Sequence, residues 1–413
     1  MMRYLLLLVL SCLAFTAKAQ QLTILTTFTE STIAPLIWQF QQQHPDLEID
    51  VLSRRESAAL RQITHNRQHI DVIVSSSRII FAPLIKNNEL LPLPHQLQNR
   101  QGKYAFFQYP DPNIAIFGYS GYGFIANQDY LQLHQLPAPT SWEMLTDPMY
   151  AGHVAIGSPS RSITTHFMVE SILQHYGWDK GWALLYQIAG NTKQIAARSY
   201  GVSDMVSQGV AGVGPVLDSF AFEYQKQFPF IEFHYQKNTP RLPSFIAGIK
   251  HPTSNKYALE FIDYVLSEST QTKLKSLINK YAINDKMIRP ELPEPLKLSL
   301  MKQRDLLVKY LFDQTISFQL TNLNQAWQLL HNIDKYQHQL TLSQQKSYQK
   351  AKQLASTPPI SEQDVDTGNF AYLSSSRQDT LTQKTLTQWR DTMHNNLLES
   401  IAISQKVLSQ LRG

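Results

Sequence analysis

Four times in the first 165 residues a short apolar run stops at a cluster of hydroxyl side chains and gives way to helical spacing. Leu22, Ile24 and Leu25 precede Thr26-Thr27-Phe28-Thr29, after which Ile33, Leu36, Ile37 and Phe40 fall at i, i+3, i+4 and i+7. Leu47, Ile49 and Val51 alternate before Ser53-Arg54-Arg55-Glu56-Ser57. Ile70-Asp71-Val72-Ile73-Val74 is a buried-strand run ending in Ser75-Ser76-Ser77-Arg78. Val154, Ala155 and Ile156 stop at Gly157, and Ser158-Pro159-Ser160-Arg161-Ser162 leads into a helix carrying Phe167, Met168 and Ile172. Repeated strand, turn and helix specify α/β architecture. Pro35 is expected in the first turn of its helix, where a missing N–H costs little.

Ligands of open α/β sheets bind beyond the carboxyl ends of the strands. A helix N-terminus brings orphan N–H groups and the positive end of its dipole to the same place. Hydroxyl donors there hold a phosphate or carboxylate, and Arg161 adds a charge-assisted fork. The candidate ligand residues are therefore Thr26, Thr27, Ser76, Ser77, Ser158, Ser160, Arg161, Ser162 and Thr164, completed by Arg198 and Tyr200 of Arg198-Ser199-Tyr200-Gly201. Asp218, following the strand Val213–Leu217, is a candidate to bond a ligand hydroxyl or to orient an arginine. Each turn alone is also ordinary helix-capping chemistry; their recurrence is what points to an anion cleft.

Arg3, a short apolar core and Ala17-Lys18-Ala19 before Gln20 read as an export signal, too short to span a membrane. Cleavage after Ala19 removes Cys12, the one cysteine, so neither a disulfide nor a thiolate metal site is expected. Lipoprotein processing at Cys12 is the alternative. The formal charge of +5 falls to about +3 without Arg3 and Lys18, which is no nucleic-acid footprint. No later segment reaches the apolar length of a membrane span, so an exported, periplasmic protein is expected. A Gly-x-Ser-x-Gly elbow, a Walker loop and a His-Glu-x-x-His helix are all missing. His153, His166 and His175 do not share a face, and acids are sparse around the expected cleft. The reading is a binding protein, not an enzyme, with no metal or cofactor.

The expected organisation is a signal peptide over 1–19, one α/β lobe over 20–116 and 250–300, a second over 117–249, a helical extension over 301–355, a linker over 356–379 and an amphipathic helix over 380–413. Phe117 to Ile125 and Pro240 to Lys250 read as two crossovers, the arrangement of a hinged clamp that closes on a small ligand. Beyond about 300 glutamine rises and glycine nearly vanishes. Leu386, Trp389, Met393, Leu397, Ile401, Leu408 and Leu411 form one stripe, suited to packing on the body or to a partner.

Pro139-Thr140-Ser141-Trp142 with Leu145, Asp147-Pro148 and Tyr150-Ala151-Gly152 stand before a strand, and Ala258–Gln271 carries Phe261-Ile262 and Leu266-Ser267-Glu268. In these pieces the chain from about 20 to 290 resembles type II periplasmic substrate-binding proteins of the iron and phosphonate group. Ser158–Ser162, His166, Met168–Ser171, Gly177-Trp178, Lys180–Ala183, Ser120–Gly123, Gly214–Asp218, Phe312-Asp313, Ile316–Phe318 and Ala326-Trp327 are more similar to its branch of phosphoglycerate transport regulators. The resemblance implies the two-lobed type II fold with two crossovers and an all-helical C-terminal extension. It also implies a small phosphorylated organic anion such as phosphoglycerate as ligand, and a membrane sensor kinase as partner. The substrate-binding component of an ABC permease for phosphonate or ferric ion is the alternative, and a structural envelope protein a third. Iron-binding members usually present adjacent tyrosines; here Tyr200 is followed by Gly201, so an oxyanion fits better than a ferric ion.

Overall fold

All four hydroxyl turns lead into helical backbone. In chain order come β1 (Gln20–Thr26), α1 (Glu30–Gln43), β2 (Leu47–Ser53), α2 (Glu56–His65), β3 (Val72–Ser75), β4 (Ala115–Ser120) and β5 (Tyr122–Asn127). They are followed by β6 (Val154–Gly157), α3 (Ile163–Tyr176), α4 (Trp178–Asn191), β7 (Thr192–Ala196), α5 (Ser199–Ser207) and β8 (Val213–Leu217). Next are α6 (Asp218–Gln227), β9 (Ile231–Tyr235), β10 (Leu242–Gly248) and α7 (Lys256–Leu266). The long C-terminal helices are α8 (Asp305–Thr315), α9 (Leu320–Asp334), α10 (Leu342–Ser356) and α11 (Thr380–Arg412). This computed structural model describes residues 20–99, 111–236, 241–252, 255–284, 296–368, 370–373 and 379–412. The export signal, Cys12 and the cleavage point lie outside them.

The chain forms two units, Met1–Gly118 with Pro243–Ile278 and Tyr119–Leu242 with Asn279–Gly413, and passes between them three times. The first unit holds the sheet β2-β1-β3-β10-β4. Its β1 runs parallel to β2 and β3, aligning Thr26 with Ser53 and Val74, while β10 is antiparallel to β3. Leu22, Ile24, Phe40, Val72 and Phe261 share its core. Thr29 caps α1 by accepting from Thr32 N–H.

The second unit holds the sheet β7-β6-β8-β5-β9. Strand β6 is parallel to β7 and β8, and β5 is antiparallel to β8 and β9. The carboxyl ends of β6, β7, β8 and β9 and the start of β5 therefore lie along one sheet edge. Helices α8 to α11 belong to this unit: α11 packs on α8, α9 and α10, and Leu386, Trp389, Met393, Leu397, Ile401 and Leu408 are buried in the common core. The stripe packs on the body. Gly190 of α4 admits Trp327 of α9, since a Cβ there would lie 2.5 Å from the indole. Glu170 on α3 accepts 2.8–3.2 Å bonds from Arg304 in a buried pair, and Arg304 also stacks over Trp178 at 5.5 Å.

Several boundaries differ from expectation. Pro243–Gly248 falls with the first unit because β10 pairs with β3, and residues 279–300 fall with the second. The expected linker over 356–379 contains a helix, Glu362–Thr367, started by a Ser361 capping box. Ile360 and Leu373 are buried, and the Trp178 indole donates to the Ile360 carbonyl at 2.8 Å. Pro35 lies beyond the first turn, inside α1, where it removes the N–H that would meet the Ser31 carbonyl.

Candidate functional site

In the first unit, register brings Thr26, Ser53 and Ser75 to one edge, and their hydroxyls largely satisfy the turns. Thr26 Oγ1 is buried and accepts from Phe28 N–H at 3.1 Å. The Thr27 and Ser75 hydroxyls meet at 2.6 Å, and Ser75 Oγ accepts from Ser77 N–H at 2.9 Å. Ser77 donates its proton to Glu56 and accepts from Ile79 N–H at 3.2 Å. Thr26 and Ser77 thus hold backbone and carboxylate, leaving half-buried Thr27 and Ser76 toward solvent. Ser76 Oγ stands 3.5 Å from Ser244 Oγ on β10. Ser244 lies 168 residues away and had no local signal.

In the second unit, the edge carries Arg198 after β7, Ser158–Ser162 after β6 and Asp218 after β8. Ser162 caps α3 by accepting from Thr165 N–H at 3.2 Å. Gly157 is required beneath that turn, because a Cβ would lie 2.4 Å from Thr165 Oγ1. The Ser158 hydroxyl donates to Asp313 Oδ1 of α8 at 3.0 Å, and Ser317 donates to the same oxygen at 3.3 Å. A proton given to a carboxylate is not available to an anion, so Ser158 ties the turn to α8. Ser160, 2.9 Å from Ser158 Oγ, stays half-buried with Thr164, and Arg161 is exposed. Arg198 lies over the Tyr200 ring at 5.6 Å, both half-buried.

Asp218 is fully buried, and both its oxygens serve the fold. Oδ1 accepts from Ser219 N–H at 2.7 Å, and Oδ2 accepts from Gly121 N–H at 2.6 Å and Tyr235 O–H at 3.0 Å. The Tyr235 hydroxyl also meets that of Tyr281 at 2.7 Å. Lys280, equally buried, donates to Ser120 Oγ at 3.0 Å. Burial pushes the Asp218 carboxyl up to about 6, against its hydrogen bonds and the Lys280 charge. Burial likewise brings the Lys280 ammonium down to about 8, and burial with the Asp218 charge drives the Tyr235 phenol far up. Asp218 is therefore a support of this corner, not a bare ligand acceptor. Tyr235, Lys280 and Tyr281 escaped the sequence reading because nothing local marks them. His166 packs in the core, 3.3 Å from Asp305, and burial followed by Lys309 and Arg304 holds its imidazole well below the ordinary range.

A family model of bacterial extracellular solute-binding proteins matches residues 67–309. Phosphoglycerate transport regulatory protein PgtC of Salmonella typhimurium is 32% identical over 336 residues, covering 78% of this chain and 83% of its own length. Among solved structures, the periplasmic binding protein AfuA from Actinobacillus pleuropneumoniae, bound to exogenous fructose-6-phosphate, aligns with a TM-score of 0.61 at 17% identity, over 72% of this chain and 99% of that one. Iron-bound HitA from Pseudomonas aeruginosa aligns with a TM-score of 0.56 at 17% identity, over 67% and 93%. At such identity the two structures speak to fold alone. The chain belongs to the bacterial extracellular solute-binding proteins and has the fold of a type II periplasmic binding protein.

Proposed function

We propose that this protein is a periplasmic sensor for a small phosphorylated three-carbon acid and reports occupancy to a membrane kinase that controls uptake. The observation that carries the reading is the row of Arg198, Ser160, Arg161 and Thr164 along one sheet edge of the second unit, beside the N-terminus of α3. Hydroxyls, guanidinium groups and a helix N-terminus together suit a tetrahedral oxyanion. The solute class and the regulatory role follow the 32% identity to PgtC. A ferric solute is disfavoured by the same region: the two tyrosines that meet, Tyr235 and Tyr281, have the Arg241 cation 5.0 and 6.0 Å from their rings. The family's relatives bind solutes, and binding without chemistry is the role assigned here.

Thermal unfolding of the purified protein against 2- and 3-phosphoglycerate, phosphoenolpyruvate, aminoethylphosphonate, inorganic phosphate and ferric citrate tests the reading. At a hundred times its Kd a ligand adds about 2.7 kcal/mol to the native state. A rise in Tm with phosphoglycerate is expected; a rise with ferric citrate alone, or none at all, overturns the assignment.

A further inference from the structure

The edge of the second sheet opposite the Ser160–Arg198 row gathers two histidines from distant turns. His134 ends the short helix Gln128–His134, and His153 stands immediately before β6. Their rings lie 4.7 Å apart, centroid to centroid. Tyr130, one helical turn before His134, stacks on it at 4.3 Å, and its hydroxyl meets His153 Nδ1 at 2.8 Å. Backbone holds His153 in place, because its carbonyl accepts from Gly212 N–H at 2.9 Å and Val213 N–H at 3.2 Å. Gly212 also makes room for Tyr130, since a Cβ there would lie 2.5 Å from the phenol ring. His134 is exposed and His153 half-buried. Both ring nitrogens of His134 and Nε2 of His153 bond to no protein group among the described residues. Burial, then the neighbouring His134 and Lys193, hold the His153 imidazole below its ordinary range. It is therefore uncharged at neutral pH and keeps a lone pair.

We infer that His134 and His153 bind a borderline divalent transition cation such as zinc or nickel, with Tyr130 positioning His153. When His153 Nδ1–H donates to the Tyr130 oxygen, the lone pair lies on Nε2, the outer-partner arrangement usual for a metal-bound imidazole. Two nitrogens at about 2.0–2.1 Å from one tetrahedral ion stand roughly 3.3 Å from each other. Rings at this separation can supply that spacing. The donors also name the class of ion. Imidazole suits zinc, copper and nickel, whereas magnesium and calcium ask for oxygen ligands. Among the described residues no third His, Cys, Asp or Glu joins the pair, so water fills the other positions. The sequence reading expected no metal because only the pairing of β5, β6 and β8 brings these rings together. The site is separate from the solute edge and does not rest on the functional reading.

Calorimetric titration of the full chain with Zn2+, Ni2+ and Mg2+ at neutral pH tests the assignment. One equivalent of Zn2+ or Ni2+ is expected to bind, and Mg2+ is not. His134→Gln and His153→Gln should each remove that equivalent, whereas His338→Gln, at another exposed histidine, should retain it. Tyr130→Phe should weaken Zn2+ by about tenfold, the low end for loss of an outer partner. Thermal unfolding without metal shows which variants are folded. His134→Gln alters an exposed side chain and should melt with the wild type, so it carries the test even where His153→Gln is unstable. Zn2+ bound equally by wild type and His134→Gln overturns the site, as does a wild type that takes up no Zn2+. Uptake lost in His338→Gln but kept in His134→Gln places the ion elsewhere and overturns it too. Each of these failures leaves the functional reading standing.

Discussion

The two sheet edges begin from the same sequence device, a strand running into serines and threonines, and end differently. In the first unit the hydroxyls of Thr27, Ser75, Ser76 and Ser244 face one another, and the carboxylate that joins them, Glu56, receives one hydroxyl proton. In the second, Asp313, Asp218 and Lys280 come in from distant sequence and take charge of the turns. Neutral hydrogen bonds are worth about 1 kcal/mol net, whereas a buried charge without its partner costs several. A run of hydroxyls therefore announces a strand end but not its role. The edges differ in which side chains reach them, Glu56 in the first unit and Asp313, Asp218 and Lys280 in the second.

Breaking the charged side should have the largest effect. Arg304→Ala leaves Glu170 uncompensated in the core and should lower unfolding free energy by about 3–5 kcal/mol in urea titrations. A loss below 1 kcal/mol would mean that the buried Glu170 carboxylate does not depend on Arg304. Asp218→Asn comes next, at about 1–3 kcal/mol near pH 7, since three donors lose their carboxylate. Because the folded carboxyl titrates near 6 rather than 3.8, the native state holds this proton more tightly than the unfolded chain does. The Asp218 contribution therefore grows as pH falls from about 6 toward 4, so the stability gap between wild type and Asp218→Asn should be wider at pH 5 than at pH 7. An equal gap would mean that the carboxyl is not desolvated. Thr27→Val, which silences one neutral contact, should cost the least, about 0.5–1.5 kcal/mol. A larger loss would place the first unit's edge with the second's.

What was legible in the chain follows the range of the forces involved. Periodicity located β1, β2, β6 and α1, because burial of a face repeats every few residues. The stripe from Leu386 to Leu408 marked a buried face without saying what covers it. Ser162 was legible as a cap because its partner is three residues away. The bond from Ser158 to Asp313 was not legible, because the two are 155 residues apart. Asp218 was visible as a strand-end acid, yet its duty is set by Gly121 and Tyr235, which become its neighbours only when β5, β8 and β9 pair.

The burial of α11 in the second unit also sets a schedule. The first unit has every residue it needs once Ile278 has been made. The second must wait for Leu408, since the stripe of α11 closes a core begun at Tyr122. During synthesis and export, one unit is ready to fold while the other still shows apolar faces of α8, α9 and α10 that the last helix covers. Surface of that kind draws holdase chaperones and aggregates when left uncovered. A truncated product that lacks α11 would therefore be lost to quality control even though its candidate solute-binding residues were all present.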